Sequence, residues 1–140
     1  MADGIPKALR ERIADAAQQR CGYCLTDQRV SGAQMHVEHI VPRARGGSSQ
    51  ESNLWLACAW CNSYKGIQVE AQDPETGASV TLFNPRRQRW IEHFLWSQDG
   101  TYIRGVTATG RATVVALNLN NPYIVPARRL WALAGWHPPK

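Results

Sequence analysis

The sequence predicts an α+β fold in which a small strand–loop–strand–helix unit is held by cysteines at both of its ends. Short apolar runs bounded by turn-forming residues indicate strands. Apolar residues at three- and four-residue spacing indicate helices near both ends of the chain. All four cysteines fall into two Cys-x-x-Cys pairs, Cys21/Cys24 and Cys58/Cys61. With 140 residues, the chain has about the size of one ordinary domain, and we expect a single domain over 1–140.

The first half is predicted to contain one amphipathic helix followed by the strand–loop–strand–helix unit. Pro6 suits a first helical position, and Leu9 and Ile13 recur at helical spacing. Gly66 is placed to end the short second helix. The predicted elements are a helix over 6–20, a loop over 25–34, a strand within 35–42, a strand over 53–57 and a helix over 58–65.

The second half is predicted to add strands and two closing helices as a basic C-terminal extension, about 79–140. Asp99-Gly100 is a typical hairpin turn. The predicted strands are 79–83, 90–96 and 101–106, and the predicted helices are 111–119 and 126–134.

Charge is distributed unevenly along the chain. Residues 1–83 contain eight Lys/Arg and nine Asp/Glu, whereas residues 84–140 contain eight and two, which together give the net charge of +5. A basic half favours a polyanionic partner such as nucleic acid, although a solvated basic face is the alternative. The candidate phosphate-contacting arginines of this half are Arg86, Arg87, Arg89, Arg111, Arg128 and Arg129. The alternative for some of them is a salt bridge to the strand–loop–strand–helix unit.

The two cysteine pairs predict a structural zinc site. Each pair places two sulfurs on one tight turn, and two such turns complete a tetrahedral thiolate site with Zn–S of about 2.3 Å. Structural disulfides or a redox pair are the alternatives. The chain shows no apolar leader and no membrane-spanning run, so we expect a cytoplasmic protein, in which structural disulfides are rare.

The first strand of the unit carries an acid and an imidazole side by side, Glu38 and His39. Neighbouring strand residues point to opposite faces, so the two side chains cannot both face water in a one-sided sheet. Glu38 and Asn62 offer oxygen ligands of the kind that Mg²⁺ prefers. His39, on the other face, is suited to take a proton from water near neutral pH.

These motifs resemble the HNH endonucleases of the ββα-metal (His-Me finger) type. The resemblance covers Cys21 to Gly66 and includes Val37-Glu38-His39-Ile40-Val41-Pro42, Gly46-Gly47, Asn53-Leu54 and Cys58-x-x-Cys61-Asn62-x-x-Lys65-Gly66. It implies a catalytic unit over about 21–66 and a metal-dependent DNA endonuclease. Asn62 stands where the family more often has a final His, and Glu38 where it more often has Asp, so the chain would be an H-N-N variant.

The same resemblance implies a role for each matched residue. His39 would be the general base, and Asn53 would hold the loop and orient that base. Glu38 and Asn62 would bind the catalytic Mg²⁺ or Mn²⁺. Lys65 would contact DNA phosphate, and we add Arg43 as a second candidate for that contact.

Two rival functions remain open from the sequence. A zinc-stabilised nucleic-acid-binding module without cleavage would bind DNA independently of His39. A protein-binding zinc ribbon would show no DNA affinity and no steep salt dependence. The sequence does not predict the oligomeric state.

Overall fold

The computed structural model describes residues 4–140, which form two compact units. The first unit runs to Val69 and takes in Asn84–Arg87 from later in the chain, and the second holds Glu70–Phe83 and Gln88–Lys140. The first three residues of the predicted 1–140 domain lie outside the described residues, and its unity stays a prediction. Within 4–140, no helix is long and apolar enough to cross a membrane.

The first unit is built around a two-stranded antiparallel sheet followed by a helix. Strand β1 (His36–His39) pairs with β2 (Leu54–Ala57), with Glu38 opposite Trp55. Helix α3 (Ala59–Lys65) follows β2 and contacts β1. Cys58 caps the helix through its sulfur, which accepts from the amide of Cys61. The predicted order of strand, loop, strand and short helix is therefore present, with the helix ending at Gly66 as predicted.

The N-terminal helix is shorter than the apolar pattern predicted. Helix α1 (Lys7–Ala16) packs against β2 through the fully buried Ile13. It ends early because Gln18 and Gln19 adopt the left-handed conformation, with φ of 55° and 63°, which a helix cannot continue through. A short helix, α2 (Gln28–Ser31), lies in the segment that was predicted to be only loop.

A later segment of the chain completes the first unit. The guanidinium carbon of Arg86 lies 5.0 Å from the ring centroid of Trp55, and Arg86 Nε donates to the Leu54 carbonyl at 3.2 Å. A Cβ on Gly22 would lie 2.6 Å from Pro85 Cβ and 2.8 Å from Trp55 Nε1. Only glycine therefore fits between the first two cysteines at this position.

The second unit contains two short hairpins and three helices, and it corrects one predicted strand. Residues 90–96 were predicted to be a strand, but their first half is helical because Arg89–Glu92 forms a turn with the Glu92 amide on the Arg89 carbonyl. Strand β3 (Glu70–Gln72), which was not predicted, forms a hairpin with β4 (Ser79–Thr81). The elements are β3 (Glu70–Gln72), β4 (Ser79–Thr81), α4 (Trp90–His93), β5 (Phe94–Trp96), β6 (Ile103–Gly105), α5 (Ala108–Ala116) and α6 (Ile124–Leu133).

The positions of two arginines change the prediction of a DNA-contacting set. Arg128 is fully buried and donates to the Leu119 and Thr101 carbonyls at 2.6 and 3.1 Å. It therefore cannot meet a phosphate, and its place in that set was wrong. Arg111 is held in ion pairs with Asp73 and Glu75 at 2.9 and 3.1 Å. Exposed members of the set are Arg87, Arg89 and Arg129.

Asp73 fastens the turn of the β3–β4 hairpin to helix α5. Its two carboxylate oxygens each accept from Arg111 at 2.9 Å, and they also accept from the Thr76 hydroxyl and the Glu75 amide. Paired N–H donors from arginine form strong, directional contacts with a carboxylate. The Arg111 hydrogen bonds, together with those of Glu75 and Thr76, hold the pKa of Asp73 well below its usual range.

We expect acid to weaken the second unit through Asp73. A carboxyl with a lowered folded-state pKa stabilises the fold above the unfolded pKa of about 3.9, and this stabilisation is lost as pH falls below it. Asp73→Asn should lower the thermal midpoint of this unit at pH 7 and reduce its loss below pH 4. Glu75→Gln, at the exposed partner of Arg111, is the control and should have a small effect. Equal midpoints for wild type and Asp73→Asn at pH 7 would contradict the prediction.

Candidate metal and catalytic centre

The four cysteines form one cluster in the first unit. Their sulfur atoms all lie within 4.8 Å of one another, and Cys24 Sγ lies 3.7 Å from Cys58 Sγ. Tetrahedral thiolates at 2.3 Å from zinc are separated by about 3.8 Å, whereas a disulfide needs about 2.05 Å. All four cysteines are free thiols. The donor set and spacing are those of a closed metal site, and the disulfide alternative is not what the structure contains.

The chemistry of the cluster also fits a dication. Burial, followed by hydrogen bonds with Cys24 and Cys58, raises the pKa of the Cys21 thiol well above its usual value, whereas hydrogen bonds with the other three thiols lower the pKa of Cys24. Hydrogen bonds with the other three thiols, followed by burial, raise the pKa of Cys61 in the same way. Three buried thiolates and the half-buried thiolate of Cys58 repel one another at this distance, so the ionised cluster needs positive charge between the sulfurs. The cluster is compatible with structural zinc.

The predicted base lies at the end of β1, half exposed. His39 Nε2 is 3.0 Å from Ser49 Oγ and 3.3 Å from Arg43 Nε, which donates to it. Arg43 also donates to Ser49 Oγ at 3.0 Å. The imidazole, the guanidinium and the hydroxyl therefore form one exposed cluster, in which a cation stands beside the predicted base. Contact between Arg43 and DNA phosphate stays a prediction.

Asn53 closes the loop that follows β1. Its side-chain amide donates to the Val41 and Ser48 carbonyls at 2.9 and 2.7 Å, and its oxygen accepts from the Val41 amide at 2.9 Å. These bonds tie both ends of the loop to the start of β2. They are the contacts that a loop-holding residue must make, and the effect of Asn53 on the base stays a prediction.

Gly47 has no room for a side chain inside this loop. A Cβ there would lie 2.6 Å from the Val41 carbonyl carbon and 2.9 Å from Asn53 Nδ2. We therefore expect Gly47→Ala to lower the free energy of unfolding by about 1–3 kcal/mol and to expose the Val41 amide to hydrogen exchange.

Gly46→Ala is the matched control for this prediction. Gly46 has φ of +85° and open space around a built Cβ, so alanine there costs about 1 kcal/mol of backbone strain without touching Asn53. The Val41 amide should stay protected in Gly46→Ala. Equal protection of Val41 in both variants would contradict the steric argument.

Glu38 lies on the face of β1 opposite His39 and is buried, with 4% of its surface exposed. Its Oε1 accepts a hydrogen bond from the Tyr23 hydroxyl and lies 3.8 Å from Lys65 Nζ. Burial raises the pKa of Glu38 despite the opposing effects of Lys65 and Tyr23. Its predicted role as a ligand stays a prediction. The carboxylate oxygen that it offers is suited to a hard divalent ion.

Lys65 and Asn62 differ in exposure although both lie on α3. Asn62 is exposed, so its amide oxygen is accessible to an ion. Lys65 is buried, and its ammonium donates to the Ile40 carbonyl at 2.8 Å. Contact between Lys65 and DNA phosphate stays a prediction, and it would require this group to leave the protein atoms that it contacts.

Sequence reasoning missed two residues of this centre. No role was predicted for Tyr23, which lies between Cys21 and Cys24, or for Ser49. Tyr23 could have been noticed as an aromatic residue with a polar tip inside a Cys-x-x-Cys pair, because a buried tyrosine hydroxyl needs a hydrogen-bond partner. Nothing in the sequence around Ser49 distinguishes it from Ser48.

Comparison with known proteins supports the interpretation of the sequence motifs in the first unit. Residues 21–68 match the family described as HNH endonuclease. No curated protein and no solved structure gives a significant match to the chain. The matched segment contains both cysteine pairs, β1, β2 and α3. The resemblance to HNH endonucleases is therefore confirmed over residues 21–68, about a third of the chain.

Proposed function

We propose that this protein is a metal-dependent DNA endonuclease with a ββα-metal centre, built on the four-cysteine cluster as a structural zinc site. The observation that carries the proposal is the position of His39 inside the segment that matches the HNH family. It lies at the end of β1, beside the exposed Arg43, on the strand that presents Glu38 to its other face.

In the proposed reaction, His39 takes a proton from the water that attacks the phosphodiester. Arg43 holds a phosphate oxygen by charge-assisted hydrogen bonds, since its guanidinium is adjacent to the imidazole. Glu38 and Asn62 would hold the catalytic ion through oxygen atoms. A Mg²⁺ or Mn²⁺ ion, when bound, supplies positive charge that stabilises the phosphoryl oxygens and the leaving 3′ oxygen. The zinc site takes no part in this chemistry, because four thiolates leave no open position.

The experiment that tests the proposal is plasmid cleavage by the zinc-loaded protein. Supercoiled DNA is incubated with Mg²⁺, with Mn²⁺ or with EDTA, and nicked and linear products are separated. Conversion in Mg²⁺ or Mn²⁺ but not in EDTA supports the endonuclease, and the product form distinguishes nicking from cutting both strands. An intact plasmid in both ions contradicts it.

Gel shifts at several salt concentrations separate the two rivals. DNA binding that weakens steeply with salt, without cleavage, would favour the binding module. Absence of DNA binding at low salt would favour a protein-binding zinc ribbon.

A further inference from the structure

Each cysteine pair is linked to β1 by one buried polar residue. Tyr23 lies inside the first pair, is fully buried and donates to Glu38 Oε1. Lys65 lies one helical turn after Cys61, is 3% exposed and approaches the same oxygen at 3.8 Å. The two residues thus approach the same carboxylate oxygen, one from the first cysteine pair and the other from the helix that carries the second pair.

Lys65 also contacts the backbone around the predicted base, and Tyr23 contacts the cysteine cluster. Lys65 Nζ donates to the Ile40 carbonyl at 2.8 Å and lies 3.5 Å from the His39 carbonyl. The Tyr23 amide lies 3.5 Å from Cys21 Sγ, to which it donates. Contacts therefore run from the cysteine-bearing segments to positions 38 and 39 of β1 and to Ile40 directly after it.

Burial makes these contacts energetically important. A carboxylate removed from water needs a cation or hydrogen-bond donors to remain charged, and Tyr23 and Lys65 are those groups for Glu38. Both contact Oε1, and Oε2 takes part in neither contact. A ligand carboxylate whose one oxygen is held by donors presents the other in a fixed direction.

We infer that Tyr23 and Lys65 are positioning residues, which transmit the geometry of the cysteine cluster to Glu38 and His39. The inference rests on the proposed function, because it concerns how Glu38 presents Oε2 to the catalytic ion. It gives Lys65 a role inside the protein in place of a contact with DNA.

The test compares Tyr23→Phe with Tyr64→Phe and Lys65→Met with Lys7→Met, all in zinc-loaded protein. Tyr64 and Lys7 are exposed, so they control for the chemical change alone. Mn²⁺ affinity is measured by titration calorimetry well below the thermal midpoint. We expect one zinc per chain throughout, and a loss of Mn²⁺ affinity of about 10- to 100-fold in the two buried variants only. Unchanged Mn²⁺ affinity in Tyr23→Phe would overturn the inference.

A second measurement follows the imidazole of His39 by ¹⁵N NMR without any added catalytic ion. The His39 signals should shift in Tyr23→Phe and Lys65→Met and stay unchanged in both controls. Unmoved His39 signals in Tyr23→Phe would refute the positioning role even if the wild type neither binds Mn²⁺ nor cleaves DNA. A wild type that neither binds Mn²⁺ nor cleaves DNA would contradict the proposed function but not the positioning role.

Lys65→Met leaves Glu38 buried without its cation and is expected to be the less stable variant. If it fails to fold, Glu38→Gln combined with Lys65→Met removes both charges and restores a neutral pair. The double variant should fold, keep its zinc and lack measurable Mn²⁺ binding. Wild-type Mn²⁺ affinity in the folded double variant would overturn the inference.

Discussion

His39→Ala should lower the rate of plasmid cleavage by about 10²- to 10⁴-fold, the range that a positioned general base contributes. The imidazole is half exposed and lies beside Arg43, so a water attacking a phosphate held there would be within its reach. The rate is measured as loss of supercoiled plasmid in Mg²⁺ at fixed protein concentration.

His36→Ala is the matched control, since His36 lies two residues earlier on β1 and is exposed. It should cleave at the wild-type rate. DNA affinity of His39→Ala should stay close to wild type, because the variant keeps Arg43. Equal cleavage by His39→Ala and wild type would show that another group is the base or that the activity belongs to a contaminant.

Cys61→Ala should abolish zinc binding and unfold the first unit. Removing one thiolate opens the tetrahedral site, and structural zinc contributes on the order of 10 kcal/mol to the folding of small zinc domains. Cys61 also belongs to α3, the helix that contacts β1. The expected result is a zinc content near zero and the loss of the thiolate-to-metal absorption that Co²⁺ gives in the wild type.

Thr26→Val is the control for this variant. Its hydroxyl oxygen lies 3.2 Å from Cys24 Sγ, so the substitution disturbs the surroundings of the cluster while keeping all four thiols. One zinc per chain should remain, with an unchanged Co²⁺ spectrum. A folded, zinc-containing Cys61→Ala protein would contradict a four-cysteine site.

The sequence was informative where local spacing determines the structure. Two Cys-x-x-Cys pairs can meet at one point, and the structure gathers their sulfurs within 4.8 Å. The short helix begins at a capping Cys58 and ends at Gly66, because both signals lie within the helix or directly beside it.

Prediction failed where tertiary packing overrides local pattern. The sequence predicts a strand at Trp90 to His93, where the structure has a helix. The local preference of four residues is too weak to determine their conformation once they pack in the fold. The burial of Arg128 depends on carbonyl acceptors at Thr101 and Leu119, which no spacing rule connects with α6. Likewise, the contact between Lys65 and Glu38 joins residues on separate elements. Sequence spacing does not predict this contact, so Lys65 was expected at the surface, in contact with DNA phosphate.

The packing of Arg86 on Trp55 bears on how this family segment could be moved between proteins. The matched residues 21–68 exclude both α1, which covers β2, and Asn84–Arg87, which covers Trp55. A transplant cut at the ends of the match would bring the cysteines and His39 into a new host but leave apolar surface of β2 uncovered. The smallest segment suitable for transfer to another protein is therefore longer than the matched residues 21–68. It includes Asn84–Arg87, which follow the β3–β4 hairpin in the chain.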